Sequence, residues 1–132
     1  MTIRTDIRAA LAARVKAAVP ALLDAYPSRP VNLHPDELPL AFCYFTEGGD
    51  AEYSLDDEGE QAPLLVSLYV METNQADADL DVLAEQLDGL TGDDLGGLLK
   101  EGLPSPSWQY GIDEQGTGLA SLTLNFNAIW SK

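Results

Sequence analysis

The chain has 132 residues, with a single histidine, a single cysteine and 22 carboxylates, so any chemistry it performs must be assembled from these. His34 is the only side chain that ordinarily titrates near neutrality, so a Ser/His/Asp or Cys/His arrangement would have to pass through it. It stands in a proline-rich stretch beside Asp36 and Glu37, the setting of an exposed loop histidine. Cys43 lies in the apolar run Leu40–Thr46, where a small buried hydrophobe is expected rather than a nucleophile. One cysteine also excludes an intramolecular disulfide and every Cys-cluster metal site, which fits a reducing compartment. There is no G-x-S-x-G elbow. Gly116-x-Gly118 lacks a third glycine and precedes a strand, so it reads as a turn rather than a phosphate cradle. No catalytic or cofactor-binding residue is assigned.

Carboxylate spacing raises the question of metals. Asp77, Asp79 and Asp81 imitate the first ligands of a calcium loop, but Val82 stands where that loop needs glycine and Asp88 replaces its closing glutamate. The same residues fit the acidic first turn of a helix. The stretch from Glu47 to Gln61 carries Asp50, Glu52, Asp56, Asp57, Glu58 and Glu60 and attracts divalent ions by charge alone. No metal ligand is assigned.

Charge is the strongest signal. Seven bases against 22 acids give a formal net charge of −15. Residues 1–35 contribute +3 through Arg4, Arg8, Arg14, Lys16 and Arg29 against Asp6 and Asp24. Residues 36–112 contribute −17 and the remainder −1. A surface this negative repels phosphate backbones and anionic membranes, so neither nucleic acid nor membrane is an expected partner. A basic face and an acidic face on one chain suit complementary contacts.

These residues need a scaffold, and the composition supplies one. With 45% apolar and 22% charged residues, the chain can bury a core within one domain spanning 1–132. It has no apolar run of membrane-spanning length, and its start does not read as a signal peptide. Ile7, Leu11, Val15, Ala18, Leu22 and Tyr26 recur at helical spacing, with Thr5 as the expected cap and Pro20 as a kink or break. Arg8 falls beside this stripe, either as a rim arginine or as a salt-bridge partner of the acidic segment. A short strand is expected around Val31–Leu33, strands at Leu40–Thr46 and Leu64–Glu72, and a long loop or hairpin at Glu47–Gln61. Leu80, Leu83, Leu87 and Leu90 mark a helix from about Asp77, capped by Asn74 or Asp77. Thr91 with Asp94 resembles a capping box for a short helix holding Leu95, Leu98 and Leu99. Trp108, Tyr110 and Ile112 alternate, and a turn at Asp113–Gly118 leads into the final strand. There Ala120, Leu122, Leu124, Phe126, Ala128 and Trp130 face one way, while Ser121, Thr123, Asn125 and Asn127 face the other. The expected fold is α+β: a mainly antiparallel mixed sheet of four to five strands, with two to three helices on one face.

The collinear series of these segments resembles the minor tail protein U family, the tail terminators of long-tailed bacteriophages. The resemblance begins at Thr5-Asp6-Ile7-Arg8-Ala9-Ala10. It continues through Arg29-Pro30, Asp36-Glu37-Leu38-Pro39, Glu52-Tyr53, the strand Leu64–Val70 and the Asp79–Leu87 helix. Trp108-Gln109-Tyr110 and the final strand complete it. The acidic stretch cannot be aligned position by position, so no role is carried onto its residues.

The resemblance implies a structural protein rather than an enzyme, located in the virion tail and in the host cytoplasm during assembly. It implies a homo-hexameric ring that caps the tail tube, ends its polymerisation and presents a surface to the head. Partners would then be further copies of the chain, the major tail tube protein and a head-completion or connector protein. From charge, the expected contact residues are Arg4, Arg8 and Arg29 on one side and Asp50, Glu52, Asp56, Asp57, Glu58 and Glu60 on the other. Divalent cations such as magnesium are expected to promote oligomerisation by neutralising the acids. The alternatives are a head–tail connector or neck ring, and a monomeric small-ligand module using a pocket around His34, Trp108 and Tyr110.

Overall fold

The computed structural model describes residues 2–30, 35–54, 57–111 and 118–131. Its centre is the pair of long strands β4 (Asp57–Met71) and β6 (Leu119–Ser131), antiparallel from Gly59 opposite Ser131 to Met71 opposite Leu119. The alternation expected of the last strand is realised: Leu122, Leu124, Phe126, Ala128 and Trp130 are all buried. The register sets them against Leu68, Val66, Leu64, Ala62 and Glu60 of β4. All but Glu60 on that side are apolar, so the register itself builds one continuous apolar face.

Two helices close that face. α1 (Ile3–Ala18) buries Ile7, Leu11, Ala12 and Val15, and α2 (Ala76–Glu85) buries Ala76, Leu80 and Leu83. Both sets join the sheet residues in one core. No described helix is long and apolar enough to cross a membrane.

The sheet runs β1 (Asp24–Tyr26), β2 (Leu40–Phe45), β4, β6, β5 (Ser107–Gly111), with β3 (Gly49–Ser54) also paired to β4. β1 is parallel to β2 and the other pairings are antiparallel. Because β6 occupies one edge of β4, β2 and β3 must share the other, end to end. β2 pairs with Leu64–Tyr69 and β3 with Asp57–Gln61. The acidic stretch is therefore a hairpin arm continuing the line of β2. The mixed, mainly antiparallel sheet with its helices on one face is the architecture expected from the sequence.

Several boundaries differ from expectation for local physical reasons. The α1 cap is Thr2, whose Oγ1 accepts the Thr5 amide at 3.3 Å, so Thr5 lies inside the helix. Pro20 neither kinks nor divides α1, which has already ended at Ala18. Leu22 is still buried, but from the connection to β1. α2 starts after Gln75, not after Asn74 or Asp77, and its cap makes no side-chain hydrogen bond. Asp77 and Asp79 occupy its first turn, where the helix dipole favours them. The calcium-loop spacing is thus helical spacing.

The helix expected after Thr91 does not form. Leu95, Gly96 and Gly97 all have positive φ, which a right-handed helix forbids. Asp93 Oδ1 accepts the Leu95 amide at 2.7 Å and Asp94 Oδ1 the Gly97 amide at 3.2 Å. These aspartates turn the chain instead of capping a helix. Leu95, Leu99 and Leu103 are still buried, so the apolar spacing is satisfied by a folded loop. The expected strand at 31–33, His34 and the turn residues 113–117 lie outside the described residues.

That loop closes tightly. The Gly92 amide donates to Leu103 O at 2.7 Å, and a Cβ on Gly102 would lie 2.3 Å from Gly92 O. Backbone cannot move aside as a side-chain tip can. Gly102→Ala is expected to cost about 1–3 kcal/mol, measured by urea unfolding.

Cys43 is fully buried in β2, and burial pushes its thiol up to about 12. It should resist aromatic disulfide reagents at pH 8 in the native state and react completely in denaturant. Labelling of the folded protein would contradict this placement.

Candidate functional site

Three surfaces carry chemistry outside the core. The first lies at the root of the hairpin arm. Arg4 Nη2 donates to Glu60 Oε2 at 2.7 Å, and Trp130 Nε1 donates to Glu60 Oε1 at 3.2 Å. Trp130 is buried and packs against Phe45 with ring centroids 5.2 Å apart. Glu60 thus joins α1, β4 and β6 where the arm leaves the sheet. The Arg4 side chain is 58% exposed, so the pair contributes on the order of 0–1 kcal/mol to stability and mainly fixes geometry. The basic helix and the acidic stretch therefore meet within one chain at this point.

The other contact candidates are dispersed. Arg8 reaches Thr5 Oγ1 with Nη2 at 3.3 Å, while its buried Nε has no hydrogen-bond partner among the described residues. It is the rim arginine of α1, and Arg4 makes the ion pair to the acidic segment instead. Arg29 is exposed just beyond β1. In the arm, the backbone register sets Asp50 opposite Glu60, Glu52 opposite Glu58 and Ser54 opposite Asp57. Asp56 lies outside the described residues. Among the described residues, no three His, Cys, Asp or Glu side chains converge on a metal position.

The second surface is the sheet face away from the helices. Tyr44 Oη and Ser67 Oγ are 2.8 Å apart, and Ser67 Oγ and Thr123 Oγ1 2.9 Å, which links β2, β4 and β6 by hydroxyls. Ser67 is the buried polar residue of the chain among those described, and these bonds satisfy it. Beside this line, Phe42 stacks on Tyr26 at 5.5 Å and meets Tyr69 edge-on at 5.9 Å. The face expected to be polar is thus part hydroxyl and part aromatic. A serine or phenylalanine on a two-sided strand gives no sign of which pattern prevails.

The third surface is an open groove of about 560 Å³ between α2 and β5. Leu87, Leu122 and Leu124 form its floor, Trp108 and Tyr110 one wall, and Asp81, Glu85 and Asp88 its acidic rim. Trp108 is 66% exposed and meets Tyr110 edge-on at 5.6 Å. The Tyr110 hydroxyl donates to Asp81 Oδ1. That bond, with desolvation and the nearby Asp81 and Asp77 charges, pushes the phenol up to about 12. The sequence marks Trp108 and Tyr110 by their alternation and Asp88 only as the last position of a calcium-loop imitation, whereas nothing in it marks Glu85 directly. The available signal for Glu85 is its helical spacing from Asp81, away from the Leu80–Leu83 stripe. His34, expected in the same pocket, lies outside the described residues.

No nucleophile–base pair occurs among the described residues on these surfaces. They offer charge, aromatic area and sheet edges, which suit assembly. Comparison with known proteins agrees. The sequence profile described as phage minor tail protein U matches residues 2–130. No curated protein matches. A chain from the solved virion of a native gene transfer agent particle shares the fold. Its TM-score is 0.57 at 17% identity, with 98% of this chain and 92% of that chain covered. A second solved chain gives 0.56 at 18% identity, with 98% and 93% covered. The profile match spans nearly every residue, so this chain belongs to the phage minor tail protein U family and is a structural protein of the phage tail.

Proposed function

We propose that this chain is a tail terminator, a subunit of a homo-hexameric ring that caps the tail tube, stops its polymerisation and offers the head its attachment surface. The observation that carries the reading is the family match over residues 2–130. Physical features support it. A closed ring of identical subunits needs two unlike patches per subunit, and this sheet ends in two unlike edges, β1 and β5. In sequence, the basic Arg8 and Arg29 and the acidic stretch holding Asp50, Glu52, Asp56, Asp57, Glu58 and Glu60 supply opposite charge.

With a net charge of −15, free subunits repel one another at low ionic strength. Ring closure then depends on magnesium, on salt or on the tube end to screen the arms. Sedimentation velocity tests this. A monomer in dilute buffer should give way to a hexamer-sized species when magnesium and tail tubes are added. A monomer under every condition would sink the reading.

A further inference from the structure

We propose that the groove between α2 and β5 is the acceptor half of the contact between neighbouring copies of this chain, and that it receives Arg29 of the next copy. This rests on the ring reading above and adds which surfaces meet.

The groove is built for a guanidinium. It combines an apolar floor, the exposed indole of Trp108 and three exposed carboxylates at Asp81, Glu85 and Asp88. None of the three acids pairs with a base among the described residues. Asp81 accepts the Tyr110 hydroxyl and keeps lone pairs to spare. A planar guanidinium stacks on an aromatic face while its fork reaches carboxylates, which an ammonium does less well and an anion cannot do.

Most of the other basic residues are engaged within the chain, and Lys132 lies outside the described residues. Arg4 holds Glu60, Arg14 holds Asp93 at 3.0 Å, and Lys16 donates to Leu22 O at 2.7 Å. Lys100 also has a partner, and Arg8 is half-buried against α1 with one bond to Thr5, which leaves it less free to extend than Arg29. Arg29 is exposed and forms no ion pair among the described residues.

Topology then separates donor from acceptor. Arg29 follows β1 at one edge of the sheet, and the groove flanks β5 at the other. Four strand spacings, about 19 Å, separate β1 from β5, and three separate β1 from the β6 residues of the groove floor, which is beyond the reach of an arginine side chain. A chain cannot fill its own groove, but the next copy in a head-to-tail series can. Such a contact is heterologous and closes into a ring when the rotation permits.

The test uses the full-length chain carrying Arg29→Glu or Glu85→Arg, two exposed positions, with circular dichroism to verify folding. Each variant alone should lose at least tenfold in ring population by sedimentation with magnesium and tail tubes. Mixing the two variants in equal amounts should restore rings, because every contact in an alternating ring then joins opposite charges. Wild-type-like rings from either single variant would overturn the inference and leave the ring reading intact. Folded single variants that fail to assemble and are not rescued by mixing would overturn the pairing of these two surfaces. Absence of rings from the wild type under the same conditions would overturn the ring reading and this inference together.

Discussion

Phe126→Ala should remove about 3–5 kcal/mol of stability, a large share of the 5–15 kcal/mol typical of a small domain. Phe126 is 1% exposed on β6. It stands opposite Leu64 of β4, at the centre of the longest pairing in the sheet. Truncation leaves a void that neither strand can close, because the register fixes both backbones. The neighbouring Asn125 points to the other face and is exposed. Asn125→Ala should therefore stay within about 0.5 kcal/mol of wild type. Urea unfolding of the two variants, read by circular dichroism, measures the two-faced sheet directly. Equal effects at adjacent positions would mean that β6 is not divided between core and surface.

The largest functional effect is expected from reversing charge at the arm root. Arg4→Glu with Arg8→Glu should reduce ring formation at least tenfold, whereas Lys132→Glu should leave it near wild type. Arg4 holds Glu60 at 2.7 Å and so ties α1 to the arm. A carboxylate at that position repels Glu60 and frees the arm's base. Arg8 supplies positive charge beside it, with a buried Nε that has no acceptor among the described residues. The Arg4–Glu60 pair is worth only about 0–1 kcal/mol, and circular dichroism verifies that the double variant, which also alters the half-buried Arg8, still folds. A closed ring repeats the contact at every subunit boundary, so a small loss per contact multiplies in assembly. Sedimentation with magnesium and tubes reads the outcome. Equal behaviour of the double variant and Lys132→Glu would reduce the charge asymmetry to a solubilising surface.

Much of the fold is legible in the residues because its central elements follow simple periods. The alternation from Ala120 to Trp130 is the β6 core face. Ile7, Leu11 and Val15 are the buried stripe of α1, and the acidic segment is a hairpin. What escaped the pattern was set by tertiary partners. β1 has three residues and is held by parallel pairing to β2, so no local periodicity could mark it. Leu95, Leu98 and Leu99 have helical spacing, but the left-handed backbone at Leu95, Gly96 and Gly97 turns that segment into a loop.

The site was legible only as charge. The sequence divides into +3, −17 and −1, but it cannot say which charges are already paired. Arg4 and Glu60 are 56 positions apart and find each other only through the fold. Arg29 is left to face outward. The groove is half visible in the sequence: Trp108 and Tyr110 alternate, Asp81 and Asp88 show only as positions of a calcium-loop imitation, and Glu85 merges into the general acidity. Folding is what sorts these acids into an arm and a rim.

Negative-stain electron microscopy of purified protein mixed with tail tubes tests the central claim most directly. A terminator should appear as a ring of six subunits seated on one end of each tube, and tubes so capped should not lengthen when tube protein is added. Bare tube ends, continued growth and a protein that remains monomeric would contradict it.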